Sequence, residues 1–349
     1  WINALVASRL SRLPEAQREF LRVASVAGTV FSAELLAKLT GSGAASLLLE
    51  ALTAHDFLIP EGQSGLFRFK HGMTREAVYG TVDAAQRKAL HLRVAHSLES
   101  MAGRDDAFDA LEALSYHYDA AGITDRAAYF AEAAGDKALA AMALDRARAQ
   151  YTTALRALDA LPVLAQPVLL RWCGIAQKLG QTCVFDPLDV SHGLSLFERA
   201  ADLARQSGDE NAVARAEYWL AYVNYGKGQP RAAVRHSEAA LVYATACGDE
   251  RLVAQIQATL GQALASAGRY ERAMPLLVQA VQSKRQQSRP GSGTAIGSAY
   301  TLGRMGYTLG DMGQFDDARA AFEESLHLLG PKLHSVRASV RELMCVVHL

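Results

Sequence analysis

Cysteine is scarce in this chain: among 349 residues there are four, Cys173, Cys183, Cys247 and Cys345. They lie far apart, form no CxxC pair and flank no histidine at zinc-ligand spacing. Isolated cysteines inside helical patterns read as small buried apolar residues of a reducing, cytoplasmic setting. Long apolar runs are missing too. None approaches the ~20 residues needed to cross a bilayer, and no signal peptide is visible, so no membrane partner is expected. Nor is there an excess of charge of either sign, with 36 basic against 36 acidic residues. A nucleic-acid binder concentrates basic groups to neutralise phosphates, and no such partner is expected here.

Catalytic signatures are equally absent. There is no GxxxxGK[ST] phosphate loop, no HExxH and no GxSxG. The run Gly291-Ser292-Gly293-Thr294-Ala295-Ile296-Gly297 imitates a dinucleotide fingerprint, but its last glycine comes one place late and no strand precedes it; it reads as a linker between repeats. His91 and His96 are five apart on one helical pattern, a spacing that turns them away from a common metal and suits surface or partly buried histidines. No metal and no cofactor is expected in this chain, and it reads as non-catalytic.

What is present is an ordinary globular composition, 50% apolar and 21% charged, in a length sufficient for a domain plus an extended array. Both ends fall inside apolar patterns: Trp1 leads into Ile2, Leu5 and Val6, and the chain closes on Val346-Val347-His348-Leu349. This reads as part of a larger protein, its array truncated at the C-terminus.

Residues 1–100 form a first domain. Pro14 suits a first helical turn, and helical spacing at Phe20, Leu21, Ala24 and Val26 ends at Gly28. Short helices follow over 32–39 and 44–54. The period then changes: Phe57-Leu58-Ile59-Pro60 and Leu66-Phe67-Arg68-Phe69-Lys70, separated by Glu61-Gly62-Gln63-Ser64-Gly65, predict a β-hairpin. Three helices and a hairpin make a winged helix, and one long helix is expected over 74–100. The segment in the position of a DNA-recognition helix, Ala44-Ala45-Ser46-Leu47-Leu48-Leu49-Glu50-Ala51-Leu52, has no arginine or lysine for bases or phosphates. It suits a protein-interaction or regulatory module.

Residues 101–349 read as repeats. Segments align on Gly122, Gly228, Gly268 and Gly313. Small residues recur at fixed offsets: Ser115, Ala127 and Ala134; Ala221, Ala233 and Ala240; Gly261, Ala273 and Ala280; Gly306, Ala318 and Ser325. This is the tetratricopeptide pattern, in which small residues let two antiparallel helices approach and a glycine turns the chain between them. Copies 40 and 45 residues apart, against the usual ~34, require longer helices or loops. Asp186-Pro187-Leu188-Asp189 interrupts the array around 181–192, and 286–293 reads as a mobile loop. The fold class is therefore all-α with one small β-hairpin: a winged-helix-like domain followed by a right-handed helical solenoid.

Several runs carry a more specific resemblance. Leu10-Ser11-Arg12-Leu13-Pro14, Ala24-Ser25-Val26-Ala27-Gly28-Thr29-Val30-Phe31, Phe69-Lys70-His71 through Arg75-Glu76-Ala77-Val78-Tyr79, and Tyr116-His117-Tyr118-Asp119-Ala120-Ala121-Gly122 are similar to the region following the ATPase core in STAND-group signalling ATPases. The version most similar joins a class III adenylate/guanylate cyclase domain, an AAA-type ATPase and a tetratricopeptide tail. The resemblance implies an adjacent ATPase core in the same polypeptide, with ATP or ADP bound there. It also implies that His71, at the end of the winged helix, senses nucleotide state by approaching the ADP phosphates; a purely structural helix cap is the other reading of His71. Lys70 and Gly72 replace the usual Met and Asp beside it. Within the repeats, Tyr218, Tyr222, Tyr225 and Arg235 are candidates for lining a concave groove that takes a protein or peptide partner, with inter-helix packing as the plainer explanation. The function implied is that of a regulatory and scaffold segment. The alternatives are the sensor region of a STAND transcription activator and a stand-alone peptide-binding scaffold.

Overall fold

The computed structural model describes residues 2–41, 43–62, 65–101, 110–161, 165–182, 190–287, 293–329 and 335–347. They pack as two units, Trp1–Pro162 and Val163–Leu349.

In the first unit, α1 (Ile2–Ser11) passes through Pro14 into α2 (Glu15–Ala27). Pro14 has φ −54° and stands one place before the first helical residue, where a proline's missing N–H costs nothing. α2 buries Phe20, Leu21, Ala24 and Val26 on its inner face. It stops at Gly28, whose φ of 148° and approach of only 3.2 Å between an added Cβ and the Val30 carbonyl admit glycine alone.

The chain then forms β1 (Val30–Ser32) and α3 (Ala33–Thr40), the Ser32 hydroxyl capping α3 by accepting from the Leu35 N–H. α4 (Ala45–Ala54), β2 (Leu58–Glu61) and β3 (Leu66–Phe69) follow. The sheet has three antiparallel strands in the order β1-β3-β2, with Phe31 opposite Phe67 and Ile59 opposite Arg68. The hairpin read from the sequence is thus two strands of a three-stranded sheet, β1 pairing with its second strand, β3. β1 is too short to show an alternating pattern, yet it delivers Phe31 edge-on to Phe69 at 6.0 Å in the core.

The single long helix expected over 74–100 is two, α5 (Gly72–Gly80) and α6 (Ala84–Met101). Asp83 and Gln86 have the spacing of a capping box, and the Asp83 carboxylate accepts the Gln86 N–H, starting a new helix. The Arg87 side chain closes the break by donating to the Tyr79 and Val82 carbonyls. α7 (Leu111–Ala121), α8 (Thr124–Ala140) and α9 (Leu144–Asp159) complete this unit.

The second unit contains α10 (Gln166–Thr182), α11 (Val190–Ser207), α12 (Glu210–Gly226), α13 (Pro230–Ala246), α14 (Glu250–Ser266), α15 (Tyr270–Gln287), α16 (Gly293–Asp311), α17 (Phe315–Leu329) and α18 (Ser335–Leu343). The long period has a simple cause. α13 and α14 are each 17 residues long and three-residue links join them to their neighbours, which fills the 40 residues from Gly228 to Gly268. The aligned glycines all make left-handed turns, with φ of 80°, 69°, 70° and 79° at Gly122, Gly228, Gly268 and Gly313. The small residues at the fixed offsets are buried at the helix crossings. At Gly261 an added Cβ would stand 2.9 Å from Leu277, and at Gly306 3.1 Å from the Ala318 carbonyl.

The fold is therefore all-α apart from the small sheet, a winged-helix-like head followed by tetratricopeptide-type helical pairs. Cys173 is buried as expected, but Cys247, in the link after α13, and Cys345, beyond α18, are exposed, because both lie at helix ends rather than on packed faces. Cys183, the Asp186–Asp189 run and residues 288–292 lie outside the described residues. Among the described residues, no single helix is long and apolar enough to cross a membrane.

Candidate functional site

His71 stands where β3 runs into α5. Its backbone is extended, with φ −133° and ψ 131°, and its carbonyl accepts from the Thr74 and Arg75 N–H groups. Its side chain makes no capping hydrogen bond and is exposed. The imidazole is therefore not used as a side-chain cap, and the backbone of the junction holds the helix end without it.

His91 departs from the surface or partly buried position expected for it. It is completely buried, and its Nδ1 lies 2.8 Å from Nδ1 of the buried His117 of α7. The Tyr79 hydroxyl is 2.9 Å from His91 Nε2, and His117 also bonds to the Ala27 backbone. One assignment of protons satisfies all these atoms. Tyr79 donates to His91 Nε2, His91 Nδ1–H donates to His117 Nδ1, and His117 Nε2–H donates to the Ala27 carbonyl. The chain of bonds ties α5, α6, α7 and α2 together with both imidazoles neutral. Burial is the main reason both resist protonation, holding His91 at about 4 and His117 at about 3; Arg75 and Arg87 add to it for His91, and His91 itself adds to it for His117. Among the described residues, no group of three or more His, Cys, Asp or Glu could hold a metal ion.

In the second unit, Tyr218, Tyr222 and Tyr225 fall at intervals of four and three on α12 and share one face. That face meets α14, and α14 meets α16. Tyr218 bonds to Thr259 of α14, and burial raises its phenol above the ordinary value. Burial also pushes the Tyr225 phenol up to about 12, with the side chains of Ser266 and Arg304 within its reach. Arg235 is placed elsewhere: it lies on α13 and is exposed. The cation beside the tyrosines is Arg304 of α16. Its guanidinium carbon sits 5.6 Å from the centre of the Tyr225 ring and 5.4 Å from that of Tyr307, and it donates to the Ser266 hydroxyl at 3.4 Å. Tyr300, Arg304 and Tyr307 repeat the four-and-three spacing of the α12 tyrosines, a signal present in the sequence but not used. The pairing of Arg304 with Tyr225, 79 positions earlier, has no local signal.

Residues 7–90 match the family model of the MalT winged helix domain. An uncharacterised protein of Rhizobium meliloti (strain 1021) is 26% identical over 216 residues, which are 57% of this chain and 21% of that protein. The chain thus matches only a small part of that relative's length. Among solved structures, a Rap protein complexed with competence and sporulation factor is similar, with a TM-score of 0.50 and 13% identity over 76% of this chain and 82% of that one. A STAND protein with a tetratricopeptide repeat sensor from Pyrococcus horikoshii gives a TM-score of 0.44 and 13% identity, covering 99% of this chain and 62% of that one. Residues 7–90 are therefore similar to the MalT winged helix domain, and the helical pairs that follow have a tetratricopeptide-like fold.

Proposed function

We propose that this chain is the non-catalytic regulatory and scaffold region of a multidomain signalling ATPase. In this reading the repeat array senses a protein or peptide partner, and the winged helix passes its occupancy to an ATPase core in the same polypeptide. The observation that carries it is the joining, in one chain, of a head similar to the MalT winged helix domain and an array of tetratricopeptide-like helical pairs. The Rap protein similar to this chain in fold is complexed with competence and sporulation factor, and an equivalent use of the array is proposed here. The finer reading, a parent of adenylate/guanylate cyclase type, rests on the sequence resemblance. A ligand of the array shifts the core only if it binds the two nucleotide states with different affinity.

His71 is assigned the sensing role. Its exposed imidazole, free of capping, stands at the N-terminus of α5, where backbone N–H groups and the helix dipole favour an anion such as an ADP phosphate. ADP and ATP belong to the core, and within this chain only His71 would touch them. The test is ADP that co-purifies with the full-length parent, quantified after denaturation. His71→Ala is expected to lose most of it, whereas undiminished retention would remove His71 from the switch. ATP turnover by the 349-residue chain alone would overturn the non-catalytic assignment.

A further inference from the structure

Two partly buried arginines of the first unit, Arg75 on α5 and Arg87 on α6, are held by neutral groups alone. Arg75 donates through Nε to the Ser25 carbonyl of α2 at 2.9 Å, and Arg87 donates to the Tyr79 and Val82 carbonyls at 3.2 and 2.9 Å. Carbonyls fix a guanidinium in place without neutralising it. Among the described residues neither arginine forms an ion pair, and the carboxylates nearest in the chain, Glu76 and Asp83, are exposed. The Arg87 Nε is buried and has no hydrogen-bond partner. Both guanidiniums lie against the Tyr79 ring, Arg87 at 4.3 Å and Arg75 at 5.7 Å from its centre. The Tyr79 hydroxyl is joined to that of Tyr116 on α7, whose side chain is exposed. Side chains of α5, α6 and α7 thus converge on a point with two positive charges that opens to solvent at Tyr116. Burial is the main reason the adjacent His91 resists protonation, and the charges of Arg75 and Arg87 come next, with no carboxylate acting against them.

We propose that Arg75, Arg87 and the Tyr116 hydroxyl form a binding site for a phosphate group, supplied as free phosphate or as a phosphate monoester. The match is one of charge and of donors. A phosphate group carries close to two negative charges at neutral pH and balances both guanidiniums, where a carboxylate would balance one. The terminal nitrogens of Arg75, and the Nε and Nη1 of Arg87, are not used by the carbonyls that hold the two side chains. Tyr79 gives its proton to His91, so Tyr116 can turn its own proton to the anion without unpairing a buried group. Because the three side chains come from three helices, an occupied site clamps α7 onto α5 and α6, and the ligand stabilises the junction of the head with the first repeat helix. This site goes beyond the function proposed above and rests neither on an ATPase core nor on the tyrosines of α12.

The test titrates the 349-residue chain with inorganic phosphate and, separately, with phenyl phosphate at constant ionic strength. Binding is followed by isothermal titration calorimetry and by the NMR signals of the histidine side chains. Saturable binding is expected, with the His91 and His117 signals moving as the site fills. Arg75→Gln should weaken it at least about tenfold, and Arg75→Lys should recover part of the loss. Tyr116→Phe removes only an exposed hydroxyl and should weaken binding about threefold. That variant keeps the test independent of Arg87, whose replacement also opens the end of α5. Tighter binding of phenyl phosphate than of inorganic phosphate supports a monoester as the ligand, and equal or weaker binding supports free phosphate. Acetate at the same ionic strength should give no saturable change; acetate binding as tightly as phosphate overturns the assignment. The proposal is equally overturned if neither phosphate probe saturates, or if their affinity is indifferent to both Arg75→Gln and Tyr116→Phe.

Discussion

The buried pair His91–His117 couples the head to the first repeat helix through neutral imidazoles, and this makes the first unit sensitive to acid. Unfolded, each histidine binds a proton below about pH 6.5. Folded, His91 does so only below about 4 and His117 below about 3. Between these limits the unfolded state holds more protons, so stability rises with pH through this window and is lost as pH falls from about 6.5 towards 3 to 4. Urea unfolding followed by circular dichroism should give a lower midpoint at about pH 5 than at about pH 7. The double change His91→Leu with His117→Leu should flatten that difference; an undiminished difference would place its origin in other groups. None of this was legible in the sequence. His91 and His117 are 26 positions apart, and neither the spacing on one helix nor the composition says that two helices will bury them face to face. His71 was legible as a junction residue, because the change from strand to helix period brackets it.

The repeat elements were the most legible part, and the reason is steric. Small residues at fixed offsets are required wherever two helix backbones nearly touch, so the crossings leave a mark in the sequence. Gly261 is such a crossing. Gly261→Ala should destabilise the second unit by about 1–2 kcal/mol, because the added methyl meets Leu277 and overpacking outweighs the helix propensity gained. A more stable Ala variant in urea unfolding would contradict the close approach. Turns show the complementary case. Met142, between α8 and α9, has φ 57°, a left-handed conformation that glycine adopts at most of the other links. Its side chain is exposed, so Met142→Gly loses no packing and should stabilise the first unit by about 0.5–1 kcal/mol, read as a higher urea midpoint. A lowered midpoint would show that the unfolded-state entropy of glycine dominates there. What sequence reading missed among the elements is what gives little periodic signal: the three residues of β1, and the break at Asp83, where apolar spacing continues across two helices.

At the scale of the whole molecule, a winged-helix head similar to the MalT domain and a set of tetratricopeptide-like pairs occur in one chain. The proposed function reads this arrangement as one that relays a binding event. Tyr218, Tyr222 and Tyr225 share one face of α12 and Arg304 of α16 stands beside Tyr225, whereas Arg235 lies exposed on α13. In the proposed function, the partner that such a sensor would control is an ATPase core on the N-terminal side of the head. The most direct measurement is the intact mass of the native protein from its source cells, with peptide sequencing beyond both ends of this chain. A mass well above 37.5 kDa with a phosphate-binding loop upstream of the winged helix is the expected result, and the remaining peptides would then distinguish a cyclase from a DNA-binding output. A native mass equal to that of this chain would contradict the switch and leave a stand-alone repeat scaffold.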